Sequence, residues 1–410
     1  MKDASATALY GASAAGGVIV VTTKSAKDRS RTEVNIKASA GIKQALTGRY
    51  HPMDSKELYE TQRMMMSKKL FETQRPESLL DQDFDWYGSI FKKGVVQDYY
   101  ASVSGIAGRV NYFASIDHYD EQGSLIGTAF DRNSARVNLS APIGEQVTLN
   151  LRLGYNRSHS TSYTDWKDIA TAYNGMPWDN PFDENGKTLY YVLDERGNPT
   201  SEKSTESTPY PVFTGERETT NRIDQADYRM VGSATPKFTG GLSSMLTWRN
   251  WSLGANLHFV YGNKVYNCER NTIDSDGSYI DYNMMSINNG LGWVRWDPND
   301  ESTHAIATHP RPKQNGNKKS NSVSTRYLED GSFLRLKNVT LAYNINKPLF
   351  NGFIQGGRIY FTADNVFTLT KFSGADPEVR IEGTSWSLAG MYNNNYPVPR
   401  SFIFGIDLKF

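Results

Sequence analysis

The last ten residues of the chain, SFIFGIDLKF at positions 401–410, alternate between apolar and other side chains. An alternation with a period of two residues is typical of a β-strand that is apolar on one face only. Such a strand fits the closing strand of a membrane β-barrel, with its apolar face toward lipid, and equally the edge strand of a soluble β-sandwich. The apolar face carries Phe402, Phe404, Ile406, Leu408 and Phe410.

The composition of the chain narrows the class of protein. The 410 residues are 38% hydrophobic, their mean hydropathy is -0.57, and no apolar run approaches the roughly 20 residues that a membrane-spanning helix needs. Aromatic residues make up 12% of the chain, which fits the aromatic girdles of a membrane barrel. The net charge of +1 argues against binding to nucleic acid, and a single cysteine, Cys268, excludes a disulfide framework within the chain.

Ten segments alternate in this way, and they form an early group of five and a late group of five. Successive predicted strands are joined by short turns and long connections in alternation, which is typical of an outer-membrane barrel. Within 332–346 the apolar parity changes between Leu336 and Val339, which predicts a β-bulge near Lys337 and Asn338. The predicted strands lie at 33–42, 97–105, 109–117, 134–142, 146–156, 241–249, 251–261, 332–346, 358–366 and 401–410.

Two long stretches lack this alternation. Residues 52–74 have a helical pattern for which Met53-Asp54-Ser55 offers a cap, and we expect the three methionines at 64–66 to pack within it rather than to contact a ligand. Residues 158–236 are rich in Thr, Ser, Asn, Asp and Pro and show no sustained period. We expect both stretches to be connections on the external side of a barrel.

The opening segment predicts a different kind of structure. Residues 1–24, MKDASATALYGASAAGGVIVVTTK, read as a short helix, a glycine stop and a strand that is apolar on both faces. A strand of that kind is buried on both sides, so we expect this segment to be the end of a domain whose body is absent. It has no secretory signal pattern. The segment resembles the end of the plug domain of SusC/RagA-type TonB-dependent transporters.

The carboxyl end of the chain carries the same resemblance. The stretches DGSFLRLKNVTLAYNI, IYFTADNVFTLTKFSGADPEV and YPVPRSFIFGIDLKF are similar to the end of SusC/RagA-type barrels. The resemblance implies active uptake of oligosaccharides or peptides across the outer membrane, with the TonB complex and a SusD-like lipoprotein as partners and outer-membrane lipid around the barrel. Family barrels have 22 strands, so the resemblance also implies that most of the plug and the middle strands are missing.

The expected fold is therefore all-β: a partial transmembrane antiparallel β-barrel of about ten strands, preceded by the end of a plug domain. We expect a plug remnant at 1–27, early barrel strands with a helical external loop at 33–157, a long external loop at 158–240 and late barrel strands at 241–410. In a full barrel the last strand pairs with the first, so the strands near Gln146 and Gly241 should form the two edges of one sheet.

Candidate ligand-binding residues are aromatic side chains in the predicted external loops, because aromatic faces next to Asn and Asp suit sugar rings. Packing within the loops is the simpler explanation for any single one of them. The candidates are Trp166, Trp178, Trp293, Trp296 and Trp386, and Tyr173 and Tyr392 lie in the same predicted loops.

We predict no catalytic residues, no cofactor and no metal site, and hence a protein that is not an enzyme. The run Asp274-Ser275-Asp276-Gly277 begins like a calcium loop but lacks the further oxygen ligands and the distal Glu. For His304 and His309 we expect solvation rather than metal binding. The alternative function is that of a soluble all-β carbohydrate-binding module. It predicts that Leu149, Leu151 and Leu153 pack against a second sheet.

Overall fold

The computed structural model describes most of the chain between residues 32 and 410. The predicted plug remnant at 1–27 lies outside the described residues, as does most of 158–240, and only the backbone is described for 190–193 and 199–204. The described residues are 32–162, 172–173, 175–178, 190–193, 199–204, 232–274, 277–287, 290–314, 323, 325–379, 390–393 and 396–410.

Fifteen strands and five short α-helices make up the regular structure of the described residues. The strands are β1 Glu33–Ala45, β2 Gly94–Ala107, β3 Val110–Gln122, β4 Ala129–Ile143, β5 Val147–Thr161, β6 Tyr190–Leu193, β7 Pro199–Ser204, β8 Phe238–Trp248, β9 Trp251–Tyr261, β10 Lys264–Asn267, β11 Leu328–Asp330, β12 Phe333–Ile345, β13 Gly356–Thr370, β14 Met391–Tyr392 and β15 Pro399–Lys409. The helices are α1 Ser55–Met65, α2 Lys68–Gln74, α3 Trp86–Ile90, α4 Cys268–Ile273 and α5 Glu301–His304, with 3-10 turns at Glu77–Asp81 and Thr325–Tyr327.

Ten of the strands form one antiparallel sheet in the order β5-β4-β3-β2-β1-β15-β13-β12-β9-β8. The last strand pairs with the first, with Ile36 opposite Leu408 and Ile42 opposite Phe402, as the sequence predicts. The edges of the sheet are β5 and β8, which also confirms the prediction. The structure is thus a partial barrel wall of ten strands, and the two groups of strands meet at the β1–β15 pair.

One face of this sheet is a continuous apolar surface, here called the outer face. The register carries apolar residues across neighbouring strands, so that Ile36 lies opposite Ala101 in β2, and Ala101 lies opposite Ile116 in β3. Leu153 is 57% exposed and Leu246 is 65% exposed. In the described residues no second sheet covers this face, so the prediction of a soluble sandwich is wrong.

Lipid explains such a surface better than water does. Burying a leucine side chain contributes about 1.5–3 kcal/mol relative to leaving it in water. A row of exposed leucines lacks that stabilising free energy when the surface faces water, and it gains the free energy when the surface faces hydrocarbon. The exposed leucines of β5 are Leu149, Leu151 and Leu153.

Polar and charged side chains line the opposite, inner face. Lys37 of β1 lies 3.0 Å from the Asp407 carboxylate of β15, and Arg132 of β4 lies 3.0 Å from Asp117 of β3. Ion pairs along the middle of a sheet require a polar environment on that side. The inner face therefore has the character of a water-filled barrel interior, as predicted.

The predicted β-bulge is confirmed, and it spans three strands. Ala255, Val339 and Ala363 lie opposite one another on β9, β12 and β13, and so do Leu257, Leu336 and Phe367. Between these two levels of the sheet, β9 takes two residue steps, β12 takes three and β13 takes four. The number of residues thus grows from strand to strand, and a bulge of this kind bends the strand and increases its local twist. Because of the extra residue in β12, its leucines stay on the outer face on both sides of the bulge.

The two ends of the sheet differ in their connections. At the short-turn end, neighbouring strands are joined by residues 108–109, 144–146, 249–250 and 346–355. At the long-loop end the connections are 46–93, 123–128, 262–332 and 371–398, together with the segment between β5 and β8. In the turns, Gly108 has a φ of +61° and Gly144 a φ of +72°, a left-handed conformation that favours glycine. The predicted alternation of short and long connections is observed except at 346–355, which at ten residues is longer than the six-residue connection 123–128.

The long-loop layer is a second body of structure built from these long connections. It holds α1 to α5 and a three-stranded sheet in the order β11-β10-β14. The helical prediction for 52–74 is confirmed as α1 and α2, and the Asp54 side chain caps α1 by accepting from the Glu57 amide at 2.7 Å. Met65 and Met66 are buried, as expected, while Met64 is 53% exposed. Within the described residues, no helix combines the length and the apolar character needed to cross a membrane.

Candidate functional site

Aromatic residues mark both ends of the outer face. Trp248 and Trp251 are exposed at the short-turn end, and Trp251 packs edge-on against Tyr343 with ring centroids 5.0 Å apart. Phe238 and Tyr261 are exposed at the long-loop end and stack at 5.0 Å. Trp251 and Tyr261 lie ten residues apart on one strand, which is about 33 Å along it and about 25 Å across a membrane at a tilt near 40°. This spacing matches the apolar band of an outer-membrane barrel.

The predicted ligand-binding tryptophans divide into three groups. Trp166 and Trp386 lie outside the described residues. Trp178 is 8% exposed in an apolar cluster with Met65 and Met284, and the Arg75 guanidinium lies 5.8 Å from its ring centroid. Trp178 therefore packs inside the protein rather than lying at a surface where a ligand could reach it. Trp293 and Trp296 lie together at a groove on the long-loop layer.

The groove has a volume of about 570 Å³ and lies between α1 and residues 287–312. Met64, which is exposed, lies on the α1 side, and both Trp293 and Trp296 lie on the other side. Carboxylates and guanidinium groups lie around these apolar side chains. The charged lining residues are Glu57, Glu60, Arg295, Asp297 and Arg311.

Trp296 is held by a local structure in the same loop. Its ring stacks on the His304 ring, with centroids 4.8 Å apart and planes 15° apart. The Nε2 atom of His304 donates to the backbone carbonyl of Asp297 at 2.8 Å, and Asp300 caps α5 by accepting from the Ser302 amide at 3.0 Å. The ring of Trp296 is thereby fixed while 36% of the residue stays exposed at the groove.

Trp293 connects the groove to a buried charge network. The Arg270 guanidinium lies 4.6 Å from the centroid of the Trp293 ring, and the His309 ring lies 4.3 Å from it. A cation over the face of an indole is attracted by its quadrupole. Trp293 thus packs against Arg270 and His309, which both belong to this network.

Asp274 is the centre of that network and is fully buried. Its carboxylate lies 2.9 Å from Arg270, 3.1 Å from Arg326 and 3.0 Å from the Nε2 atom of His309. Arg270 also lies 3.2 Å from Glu329. A buried charge is tolerated only when it is paired and hydrogen-bonded, and each of these groups meets that condition.

The pKa values of the network follow from these contacts. Burial raises the pKa of Asp274, but the hydrogen bond and charge of His309 and the charges of Arg326 and Arg270 outweigh burial, so the pKa lies below its ordinary value. For Arg270, burial lowers the pKa, and Asp274 and Glu329 more than reverse the effect. Both residues are therefore charged near neutral pH.

Three tyrosines pack beside the network and are almost fully buried. The Asn267 side-chain amide donates to the Tyr50 hydroxyl at 2.6 Å, and the Tyr173 ring packs edge-on against Tyr50 with centroids 5.3 Å apart. Tyr392 has no exposed surface. Burial raises the pKa of all three tyrosines. Tyr173 and Tyr392, which the sequence places among the loop aromatics, thus contribute to packing.

The expectation that His309 is solvated is wrong, because His309 is 5% exposed and contacts Asp274. Both oxygens of Asp274 lie within hydrogen-bond distance of Arg or His side chains. Among the residues that the structure describes, no group of three or more His, Cys, Asp or Glu side chains is placed to hold a metal ion.

Comparisons with known proteins give relatives in both sequence and structure, although no family model matches the chain. TonB-dependent receptor P3 of Formosa agariphila is 27% identical over 193 residues, which is 46% of this chain and 18% of the relative. TonB-dependent receptor SusC of Bacteroides thetaiotaomicron is 29% identical over 175 residues, which is 43% of this chain and 17% of the relative. The matched segments thus span less than a fifth of the length of these relatives.

Two solved structures share the fold over the whole chain. The structure of the RagAB peptide transporter matches with a TM-score of 0.70 and 15% identity, covering 100% of this chain and 90% of that chain. The RagAB peptide importer in the open-open state matches with a TM-score of 0.71 and 16% identity, covering 100% and 89%. The resemblance to SusC/RagA-type TonB-dependent transporters is confirmed. These relatives are receptors and transporters, which is consistent with a protein that is not an enzyme.

Proposed function

We propose that this SusC/RagA-like chain works in the outer membrane as part of a TonB-dependent nutrient importer. The observation that supports the proposal most strongly is the continuous apolar outer face, exposed across ten strands and bounded by aromatic residues about 25 Å apart. The polar inner face fits a watery interior. In this arrangement the short turns lie on the periplasmic side, and the long-loop layer lies outside the cell.

The names of the relatives support a proposal for the substrate class and the partners. The RagAB structures are described as those of a peptide transporter, and SusC is a TonB-dependent receptor. We infer that this chain serves uptake of an oligosaccharide or a peptide, with the TonB complex as its energy source and a SusD-like lipoprotein at the cell surface. The near-neutral net charge of +1 argues against a nucleic-acid partner.

The domain division is part of the same proposal. Residues 1–27 correspond to the end of a plug, 33–157 and 241–410 to barrel wall, and 158–240 to the external connection between the two groups of strands. The observed edges at β5 and β8 support this division, because they lie on either side of the long connection.

The groove beside Trp293 and Trp296 is the proposed contact site for substrate. It combines two indole rings with charged groups that can orient a polar ligand, and its volume of about 570 Å³ is in the range of small-ligand sites. Trp166 and Trp386 remain predicted contributors, and Trp178 would reach a ligand only if its cluster opened.

Quenching by brominated lipid tests the membrane location. The full chain is refolded into vesicles whose acyl chains carry bromine, and its tryptophan fluorescence is measured. We expect strong quenching, because Trp248 and Trp251 are 63% and 43% exposed on the outer face. The double variant Trp248→Phe and Trp251→Phe should lose most of it, since the other described tryptophans lie in the long-loop layer. A chain that stays unquenched, or that folds in water without vesicles, would contradict the proposal.

A further inference from the structure

The outer face has a depression across β1 to β5, here called the hollow, with a volume of about 420 Å³. Small side chains lie at its centre, where Ala38, Ala101 and Ala135 occupy neighbouring strands. Larger side chains stand around them, and the lining includes Ile116 and Tyr155, which are 64% and 59% exposed. The hollow is thus an apolar cavity on the face that the proposed function places in lipid, and its volume is in the range of small-ligand sites.

A row of polar side chains borders the hollow on the side of the long-loop end. The register places Tyr99, His118, Asn133 and Arg157 next to one another on β2 to β5. The Nδ1 atom of His118 lies 2.8 Å from the side-chain oxygen of Asn133, and the Tyr99 ring stacks on the His118 ring with planes 11° apart. This polar row supplies hydrogen-bonding groups and one permanent positive charge at the boundary of the apolar surface.

Two carboxylates lie one step farther toward the long-loop end. Asp120 of β3 lies directly opposite Asp131 of β4, two residues beyond the polar row and on the same face. Their other neighbours across the strands are Gln97 and His159. Like charges directly opposite each other destabilise a pair of strands. A cation held between the two carboxylates would remove that repulsion.

We propose that the hollow and these two rows bind a single lipid whose headgroup carries a phosphate and, beyond it, an ammonium. One acyl chain fills the hollow, the phosphate contacts Arg157 and His118, and the ammonium lies between Asp120 and Asp131. The inference rests on the proposed membrane location of the outer face. Successive rows are two residues apart, which is about 7 Å along a strand, so one lipid molecule can reach all three levels.

The order of the three levels selects among lipid headgroups. A phosphoethanolamine lipid presents its acyl chain, its phosphate and its ammonium in the same order as the hollow, the polar row and the carboxylates. A phosphatidylglycerol headgroup offers the phosphate but no cation for Asp120 and Asp131. A choline headgroup offers a cation that has no N–H group, so it cannot form the charge-assisted hydrogen bonds that a primary ammonium forms with a carboxylate.

Selective quenching by brominated lipids tests the proposal. Tyr155→Trp places an indole at the hollow, in a full chain that also carries Trp248→Phe and Trp251→Phe, and this is the reporter chain. It is refolded into phosphatidylcholine vesicles that contain a rising fraction of brominated phosphatidylethanolamine, and its tryptophan fluorescence is measured. Vesicles made entirely of brominated phosphatidylcholine give the maximum quenching of each chain. The wild type, whose Trp248 and Trp251 lie at the short-turn end, reports on the outer face away from the hollow.

We expect the reporter chain to be quenched more than the fraction of brominated lipid predicts, by a preference of roughly 1.5- to 5-fold for ethanolamine over choline lipid. Quenching of the wild type should follow the lipid fraction. In the reporter chain, Asp120→Asn with Asp131→Asn should abolish the preference, and so should Ala101→Leu, which fills the hollow. The matched variant Ala114→Leu adds the same bulk to the outer face outside the hollow and should retain the preference.

Three results would overturn the proposal. The first is quenching of the reporter chain that follows the lipid fraction, and the second is an equal excess when brominated phosphatidylglycerol replaces the ethanolamine lipid. The third is a preference that survives the substitution of both Asp120 and Asp131.

Failure of the lipid site is separate from failure of the proposed function. A reporter chain that is quenched in brominated phosphatidylcholine but shows no preference refutes the lipid site and leaves the membrane location supported. A reporter chain that is quenched by neither lipid contradicts the membrane location, and the lipid site fails with it.

Discussion

At the scale of residues, Asp274 carries a large expected effect on stability. The variant Asp274→Asn keeps the shape of the side chain and removes its charge, which takes one of two neighbouring carboxylates from the buried Arg270 and weakens the contact with Arg326. Breaking a buried ion pair from one side costs about 3–5 kcal/mol. We expect unfolding of the long-loop layer at lower denaturant concentration, measured by tryptophan fluorescence. The matched variant Asp81→Asn changes an exposed carboxylate and should leave the midpoint within experimental error.

The same carboxylate predicts how the layer responds to acid. The folded pKa of Asp274 lies below the ordinary value near 4, so its stabilising contribution is complete above that value and is lost as the pH falls toward the lowered pKa. Denaturant midpoints of the wild type should therefore fall as the pH drops below about 4. The Asp274→Asn variant should show a smaller fall, and equal slopes for the two proteins would refute this assignment.

Trp296 is the residue whose removal should report on the groove. The variant Trp296→Ala should weaken binding of oligosaccharides or peptides by about 0.5–1.5 kcal/mol, or roughly 2- to 12-fold, because one stacking face is lost. Isothermal titration of the refolded chain against a panel of both ligand classes measures the change. Trp251→Ala removes a tryptophan at the short-turn end and should not alter binding. Equal losses in the two variants would argue against the groove.

At the scale of elements, the β-bulge near Lys337 turns Arg335 toward the inner side, where it anchors a loop. Arg335 is 2% exposed, donates to Asp376 and lies 3.1 Å from Glu378, so it fixes the residues that follow β13. We expect Arg335→Ala to cost about 3–5 kcal/mol, because Asp376 loses its buried partner. Limited proteolysis should then cut within 371–379. Lys337→Ala, which breaks only the 3.3 Å contact to Glu378, should cost less than about 1 kcal/mol.

Strands were the part of the fold that the sequence could predict. Their alternation follows from one apolar and one polar environment, so all ten were located and the bulge in β12 was recognised. Their ends were less accurate: β3 extends to Gln122 and β13 to Thr370. In the proposed membrane location both faces of a strand meet water beyond the apolar band, so alternation would stop there while backbone pairing continues.

The site was only partly predictable. Trp293 and Trp296 stood out by residue type, but the network behind them joins Asp274 to His309 and Arg326, which are 35 and 52 residues away in sequence. Such contacts leave no local pattern. The one available signal was the four-residue spacing of Arg270 and Asp274, which suits an ion pair on a helix. Strands as short as β10, β11 and β14 likewise show no period.

At the scale of the whole molecule, the environment of the outer face predicts opposite results for neighbouring substitutions. Leu151 and Asn150 are adjacent in β5 but lie on opposite faces. Leu151→Arg places a charge toward lipid and should destabilise the refolded chain by up to about 2–4 kcal/mol, depending on depth. Asn150→Arg faces the interior and should have little effect. Urea unfolding in lipid vesicles measures both.

The outcome in water would differ. Replacing an exposed leucine by arginine on a soluble protein usually changes stability by less than about 0.5 kcal/mol. Equal stability of Leu151→Arg and Asn150→Arg would therefore count against the membrane location, independently of any measurement of transport.

The pairing of β1 with β15 also governs when the sheet can be completed. Asn35 lies opposite Lys409, so the central pair of the sheet joins two strands that the ribosome makes at widely separated times. Contacts between such distant segments form slowly, because the intervening chain must first be ordered. The apolar residues of the early strands stay exposed until β15 has been synthesised. A partly folded chain with exposed apolar surface aggregates readily. The sheet therefore stays without its central pair of strands until the last residues of the chain are in place.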